Sequence, residues 1–424
     1  MKKRITHLFA LVFLLISLSV LFGCRTQAES LPEGTPFTVS FVDYDGTILK
    51  TQTCIVGETC DIVPPSHPTF RGDNTNRVFT HWSVFPTEYD DLASDTVIEA
   101  VYTLDNALVR IGGREIVWYS VLIMCGIMTA FLVGMREAKR VGIDGDDMID
   151  GFLWIVPVAI LGARLWYVAF EFDRFVVQGN VFSTILKILG FNSGTLNFAD
   201  FGLAGLAIHG AFFTAAVCAI LYCRKRKISV LQVADLVCAG FIIAQTFGRW
   251  GNFLNQEAHG GVIGGVTEGA MNWTLEQQFD FLRYTLHLPE FIVNNMYIVG
   301  NAFDATEPYT AFYHPTFLYE LTLNWVGFFL VLVIRRLKKV RIGEIAAFYL
   351  AWYGAVRIFI ESMRTDPLVY HIFGLTVKAA TTTSVLMILA GIALSLCIRL
   401  WWKGPSYATI PGHFEFRGKA EARE

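Results

Sequence analysis

VLQVADLVCAGFIIAQTFGRWGNFLNQEAHGG, residues 230 to 261, decides how this chain is read. Residues 230 to 247 form an apolar run near the length that crosses a hydrocarbon core of about 30 Å as a helix. Residues 248 to 261 then pack an Arg, two Asn, a Gln, a Glu and a His between glycines. Ionised groups in a bilayer are costly, so this many of them at the mouth of an apolar segment require a shared wet or paired site.

Six further apolar runs lie around this one, at 116–135, 149–170, 201–223, 317–334, 343–361 and 378–400. The chain is 54% hydrophobic and only 17% charged, where a soluble domain has roughly 25% charged residues. The expected fold is therefore a polytopic α-helical membrane protein with seven transmembrane helices over 116–403 and a tail at 404–424. A net charge of −3 without a basic face gives no reason to expect nucleic acid.

Lys and Arg accumulate in cytoplasmic loops. The basic clusters Arg136/Lys139/Arg140, Arg224 to Lys227, Arg335/Arg336/Lys338/Lys339/Arg341 and Arg399/Lys403 follow the first, third, fifth and seventh runs, so all fall on one side. This predicts a cytoplasmic C-terminus. The segment 37–103, the loops 171–200 and 248–316, and the turn 362–377 then lie outside.

The chain opens MKKRITHLFALVFLLISLSVLFGC, a basic segment, an apolar segment and then Leu21, Phe22, Gly23 and Cys24. This order resembles a bacterial lipoprotein signal (residues 1–24) ending at a lipid-modified Cys24. An uncleaved anchor with an incidental Cys24 is the alternative. After a linker (25–36), residues 37–103 alternate apolar and polar positions around Asp45-Gly46 and Val56-Gly57, which predicts short strands and two hairpins. The order of these strands resembles the β-grasp-like repeats of bacterial surface proteins, an all-β or α+β spacer or binding module. Cys54 and Cys60 flank Gly57 and are either bridged or reduced.

Within the spans, polar groups gather at the outer ends: Tyr119, Arg164 with Glu171, His209, Arg249 to Glu257, His314 to Glu320, and Arg357 with Glu361. A polar cavity open to the outer leaflet is the economical inference. Several arginines at headgroup level favour a phosphate, which Arg grips through parallel hydrogen bonds, and phospholipid is the phosphate available there. Gly248, Gly251, Gly260 and Gly261 let the backbone approach a ligand closely.

GRWGNFLNQEAHGG, HPTFLYE (314–320), GLAIHGA (205–211), GARLWYV (162–168) and RIFIESMRTDP (357–367) resemble, in order, the blocks of the prolipoprotein diacylglyceryl transferase family. Ala163, Ala211 and Gln256 stand where that family commonly has Gly. The resemblance implies an enzyme of the bacterial cell membrane. Such an enzyme moves the diacylglyceryl group of phosphatidylglycerol to the lipobox cysteine of prolipoprotein signal peptides, releasing glycerol phosphate. No metal or cofactor enters this reading.

It also implies roles. His209, Arg249 and Arg357 become candidate catalytic residues, the arginines for the leaving phosphate and His209 as base or orienting group. Tyr119, Asn252, Asn255, Glu257, Gly260 and Glu361 become candidates for the substrate pocket. Several have a plainer alternative: His209 as an interhelical hydrogen-bonder, Arg357 and Glu361 as a helical i,i+4 pair, and Tyr119 as an interfacial belt residue; Arg164, outside this set, reads also as a headgroup anchor that snorkels outward. Cys24 itself becomes a substrate for the chain that carries it. An inactive transferase-like anchor presenting the β module, or a transporter, are the rival readings; the broken midplane helices and repeat of a transporter are not apparent.

Overall fold

The computed structural model describes residues 31–66, 77–111, 114–191, 193–196, 205, 207–300, 309–364, 369–372, 375–402 and 404–409. Residues 1–30, with the expected lipoprotein-type signal and Cys24, and residues 410–424 of the tail lie outside the described residues.

Four strands, β1 (Pro36–Val42), β2 (Ile48–Ile55), β3 (Phe79–Trp82) and β4 (Thr96–Tyr102), form a mixed sheet in the order β2-β1-β4-β3. β1 pairs antiparallel with β2 and parallel with β4, while β3 pairs antiparallel with β4. The two-residue period read from the sequence has a direct counterpart: Phe37, Val39 and Phe41 are buried while Thr38 and Ser40 are not. Those side chains pack on Ile98, Ala100 and Trp82, with Phe41 and Trp82 edge to face at 5.0 Å.

The turn at Asp45-Gly46 forms as expected, with Asp43 N–H bonded to Thr47 O at 2.8 Å and Gly46 at φ +80°. The second expected hairpin does not. After Ile55 the chain folds back through Val56, whose N–H donates to Thr35 O at 3.0 Å, and the Cys54–Cys60 disulfide closes the turn across a Cα separation of 5.7 Å. Pro64 and Pro65 explain the difference, because residues without an N–H cannot extend a ladder.

Beyond a two-stranded ribbon (Ala107–Ile111 with Arg114–Val117) come the helices. The longer ones are α1 (Trp118–Val141), α2 (Gly145–Phe170), α3 (Val181–Leu189), α4 (Ile208–Arg226), α5 (Val230–Leu254), α6 (Thr316–Ile334), α7 (Glu344–Glu361) and α8 (Ala379–Cys397), with short helices at Leu275–Asp280 and Glu290–Asn295 between α5 and α6. Among the described residues five helices are long and apolar enough to cross a membrane: α1, α2, α5, α6 and the helix over Ala380–Trp402. The chain is thus a polytopic helical membrane protein. α4 and α7 are 19 and 18 residues long, but terminal cations dilute the first, and Glu344, Arg357 and Glu361 the second. α4 also begins later than the run at 201 suggested, because Gly205 adopts φ +79°, a left-handed conformation that a right-handed helix cannot include.

The chain forms two compact units whose boundaries fall inside the long helices. One comprises residues 1–126, 245–324 and 355–385, the other residues 127–244, 325–354 and 386–424. In the second unit α2 and α4 cross closely. A Cβ on Gly162 would lie 2.1 Å from Thr214 Oγ1, and one on Gly210 only 2.4 Å from Gly162 O. Small residues let membrane helices approach at backbone distance. Gly162 of GARLWYV and Gly210 of GLAIHGA are thereby explained as packing glycines.

Arg164 corrects an expectation. It does not snorkel outward but is 5% exposed, donating to Lys187 O (2.8 Å), Ile188 O (3.0 Å) and Gly205 O (3.3 Å), with its guanidinium 4.8 Å from the Phe175 ring centre. The last carbonyls of a helix lack intrahelical donors, and Arg164 supplies two of those at the end of α3. Asp235, an acid inside the opening apolar run, serves the converse purpose: buried, it accepts from Gly343 N (2.7 Å) and Ala346 N (2.8 Å) at the start of α7. Buried Glu137 gathers Arg140 at 3.0 Å, Arg336 through two bonds of 2.8 and 2.9 Å, and Arg335 at 3.5 Å.

Candidate active site

The site is built in the first unit, and its frame is the C-terminal end of α5. The sequence reading placed Arg249 after the apolar run; α5 instead continues to Leu254, so Arg249 and Asn252 project from helical turns. A helix ends where its backbone bonds end, and polar side chains do not stop it when they have partners. Here they do. Arg249 Nη1 donates to Asn252 Oδ1 at 3.1 Å, the i,i+3 spacing that puts two side chains on one face. Arg249 Nε lies 2.9 Å from Glu320 Oε1 of α6, whose side chain is 1% exposed. Asn252 Nδ2 donates onward to Glu257 Oε1 at 3.0 Å, and Asn255 Nδ2 reaches the same oxygen at 3.4 Å. Glu257 is exposed.

Past the helix the chain hooks back. Glu257 N–H bonds to Asn252 O (3.0 Å), and Gln256 and Ala258 take φ +54° and +57°. Glycine adopts this left-handed conformation without strain, whereas a residue with a Cβ does not. Here the strain is offset by the Gln256 side chain, whose Nε2 lies 3.0 Å from Asn295 O and 2.9 Å from Tyr297 O. Removing two neutral hydrogen bonds of about 1 kcal/mol each, with the left-handed backbone kept, should make Gln256→Ala about 2 kcal/mol less stable than the native chain. Gln256→Gly loses the same bonds but also the backbone cost of about 1 kcal/mol, and should fall between. Thermal unfolding of the three proteins in one detergent checks the order; alanine at or above glycine would refute it.

Gly260 is where three sequence blocks meet. Its N–H bonds to His314 O (2.9 Å), the neighbouring Gly261 N–H to Met363 O (3.0 Å), and His314 N–H returns to Gly261 O (2.9 Å). Gly260 also forms a bridge with Arg364, and Thr316 Oγ1 donates to Ala258 O at 2.7 Å. Gly251 fits closely too: a Cβ there would come within 2.4 Å of Tyr119 Cδ2, so the Tyr119 ring lies against the α5 backbone. Burial holds the His314 imidazole below its ordinary range, and its Nδ1 faces the Tyr319 hydroxyl at 3.4 Å. On α7, Arg357 Nη2 lies 2.8 Å from Glu361 Oε2, with side chains 19% and 3% exposed.

Tyr119, Arg249, Asn252, Asn255, Glu257, Gly260, Arg357 and Glu361 thus all belong to one unit. His209 belongs to the other, as the second residue of α4, with an exposed ring. Two features were missed by sequence reasoning. Glu320 was visible as an acid entering an apolar helix, but its pairing with Arg249 was not. Asn295, 1% exposed, gave no signal at all in the stretch EFIVNN. Chemically, the arrangement presents guanidinium groups held by buried carboxylates on a tightly turned backbone. An Arg carries five N–H donors, more than these contacts use, and so offers the rest to an anion.

Comparison with known proteins gives this chemistry a context. The family model for prolipoprotein diacylglyceryl transferase matches residues 106–397, beginning at the ribbon that leads into α1. A phosphatidylglycerol–prolipoprotein diacylglyceryl transferase of Listeria monocytogenes serovar 1/2a is 38% identical over 307 residues, covering 72% of this chain and 94% of the relative. Proteins of the same name from Streptococcus sanguinis and Lactobacillus delbrueckii subsp. bulgaricus are 38% and 36% identical, covering 94% and 87% of their own lengths and 69% and 67% of this chain.

Proposed function

The chain belongs to the prolipoprotein diacylglyceryl transferase family, and from that premise we propose that it transfers the diacylglyceryl group of phosphatidylglycerol to the lipobox cysteine of prolipoproteins. The observation that carries the reading is the Arg249–Asn252–Glu257 and Arg249–Glu320 network, which holds a guanidinium rigidly among the stitched family motifs.

In the step proposed, the cysteine sulfur attacks the glyceryl carbon bonded to phosphate. A carbon–sulfur bond forms, the carbon–oxygen bond breaks, and glycerol phosphate leaves. A thiol with a pKa of about 8.5 must surrender its proton to become a good nucleophile, and His209 is the candidate to accept it or to orient the group that does. Charge developing on the leaving phosphate is stabilised by donors already in place, the role assigned to Arg249 and Arg357. Glu361 holds Arg357. Tyr119, Asn252, Asn255, Glu257 and Gly260 shape the headgroup pocket.

The finer topology is part of the same proposal: seven spans, the sheet of residues 37–103 outside as a spacer or binding module, and a cytoplasmic C-terminus. The ion pairs of the second unit support it, since basic residues that end α1 and α6 share Glu137, and Arg226 at the end of α4 pairs with Asp147 and Asp150. Cys24 is read as a further substrate of the chain itself; finding it unmodified in otherwise active protein from native membranes would refute that.

The direct test is the mass of a lipobox peptide after incubation with purified protein and phosphatidylglycerol. A diacylglyceryl increment is expected. Folded protein that yields none would support an inactive anchor instead.

A further inference from the structure

The N-terminal sheet lies outside the region that the family model matches, which begins at residue 106, yet it is not merely tethered. His81 of β3 stacks on Phe85 with ring centres 5.2 Å apart and planes 3° from parallel. The same imidazole meets Phe279 at 5.9 Å, Tyr297 at 5.7 Å and Phe312 at 5.6 Å, all from the segment between α5 and α6. Phe85 adds a contact to Phe279 at 5.4 Å. Burial pushes His81 down to about 4, so at neutral pH it enters this cluster as an uncharged ring.

Beside the aromatic contact runs a polar one. Leu104 N–H, two residues past β4, donates to Asn295 Oδ1 at 3.0 Å. Asn295 Nδ2 donates in turn to Phe253 O at 2.7 Å. Phe253 sits in the last turn of α5, adjacent to Asn252 and four residues beyond Arg249. The carbonyl oxygen of Asn295 takes the Gln256 amide at 3.0 Å. One buried side chain therefore joins the exit of the added module to the helix end that carries the anion-binding arginine. Gln256 thus clasps the backbone of the same residue whose side chain bridges the junction.

We propose that Asn295 is a positioning residue for the transferase reaction, through which the docked N-terminal module fixes the last turn of α5 and with it Arg249 and Asn252. The inference rests on the activity proposed above and extends it. Both side-chain hydrogen-bonding ends of Asn295 are used, one on each side of the junction, and a buried amide satisfied at both ends holds its neighbours in one arrangement. Small displacements of a catalytic group from a distant change cost large rate factors, so loosening either end should appear in turnover.

The test uses the full chain in phosphatidylglycerol nanodiscs with a lipobox peptide, comparing the native protein with Asn295→Ala, Phe85→Ala and the double variant, each normalised to monodisperse folded protein. Each single change is expected to lower kcat about tenfold with peptide KM within about twofold, and the double variant to be no slower than the slower single. Loss of folded protein alone would not move kcat per folded enzyme. Unchanged kcat for Asn295→Ala in an active native background, or single effects that simply multiply in the double variant, would overturn the coupling. A native protein that does not modify the peptide would overturn the transferase reading and this inference with it.

Discussion

Replacing Arg249 with alanine is expected to reduce diacylglyceryl transfer by about 100- to 1000-fold, and to destabilise the protein at the same time. Two effects combine. The leaving phosphate loses a preplaced charged donor, and removal of a single such donor costs about 100- to 1000-fold in turnover. Glu320, 1% exposed and 2.9 Å from Arg249 Nε, is then left as a buried carboxylate without its partner; breaking such a pair costs about 3–5 kcal/mol. The two effects are separable. Arg249→Ala combined with Glu320→Gln removes the stranded charge and should recover most of the stability, measured by thermal unfolding in detergent, while transfer measured by peptide mass remains lost. Recovery of activity together with stability would mean that Arg249 serves the fold and not the phosphate. Arg249→Lys is expected to be poor as well, since an ammonium cannot span Glu320, Asn252 and a phosphate with the fixed fork of a guanidinium.

The second large effect is expected at Gly260, where no charge is involved. A Cβ there would lie 2.8 Å from His314 Cβ, 3.0 Å from Thr316 Cγ2 and 3.1 Å from Met363 O. The last of these is backbone and the first is the root of a side chain, so neither yields by rotation. Gly260→Ala must push apart the strand-like contacts that tie the 248–261, 314–320 and 357–364 segments together. Overpacking of this kind costs about 1–3 kcal/mol, and an ångström of misplacement about 100-fold in rate. We expect Gly260→Ala to fold, with reduced thermal stability, and to lose about 100-fold in transfer. Native-like transfer would show that the three segments tolerate separation and that the turn does not set the geometry of the reaction.

The sequence was most informative where a signal is local. Long apolar runs predicted helices, because chain crossing a bilayer must satisfy its own backbone bonds, and alternation predicted β1, whose buried face is Phe37, Val39 and Phe41. The motif blocks identified the family. Local signals misled where polarity was taken for a helix end: α5 carries Arg249 and Asn252 within it, since hydrogen-bonded polar side chains interrupt hydropathy but not the backbone ladder. The snorkelling alternative for Arg164 fails for the same reason in reverse. An arginine near a span end usually reaches for water, but here the carbonyl ends of α3 lie within its reach, and the guanidinium turns inward to them.

Composition, period and motif thus set the class of the chain, its family, its helical segments and its β segment. The pairing of distant residues comes from the packed structure. Arg249 meets Glu320 across 71 residues of chain, Gly260 meets His314 and Met363, and Leu104 meets Asn295 across 191. No periodicity encodes such partners, because each depends on where two distant backbones pass and which way their side chains point once packed. The same holds for Asn295, an ordinary polar residue in an unremarked stretch, which acquires its place from having the Leu104 N–H on one side and the Phe253 carbonyl at the end of α5 on the other.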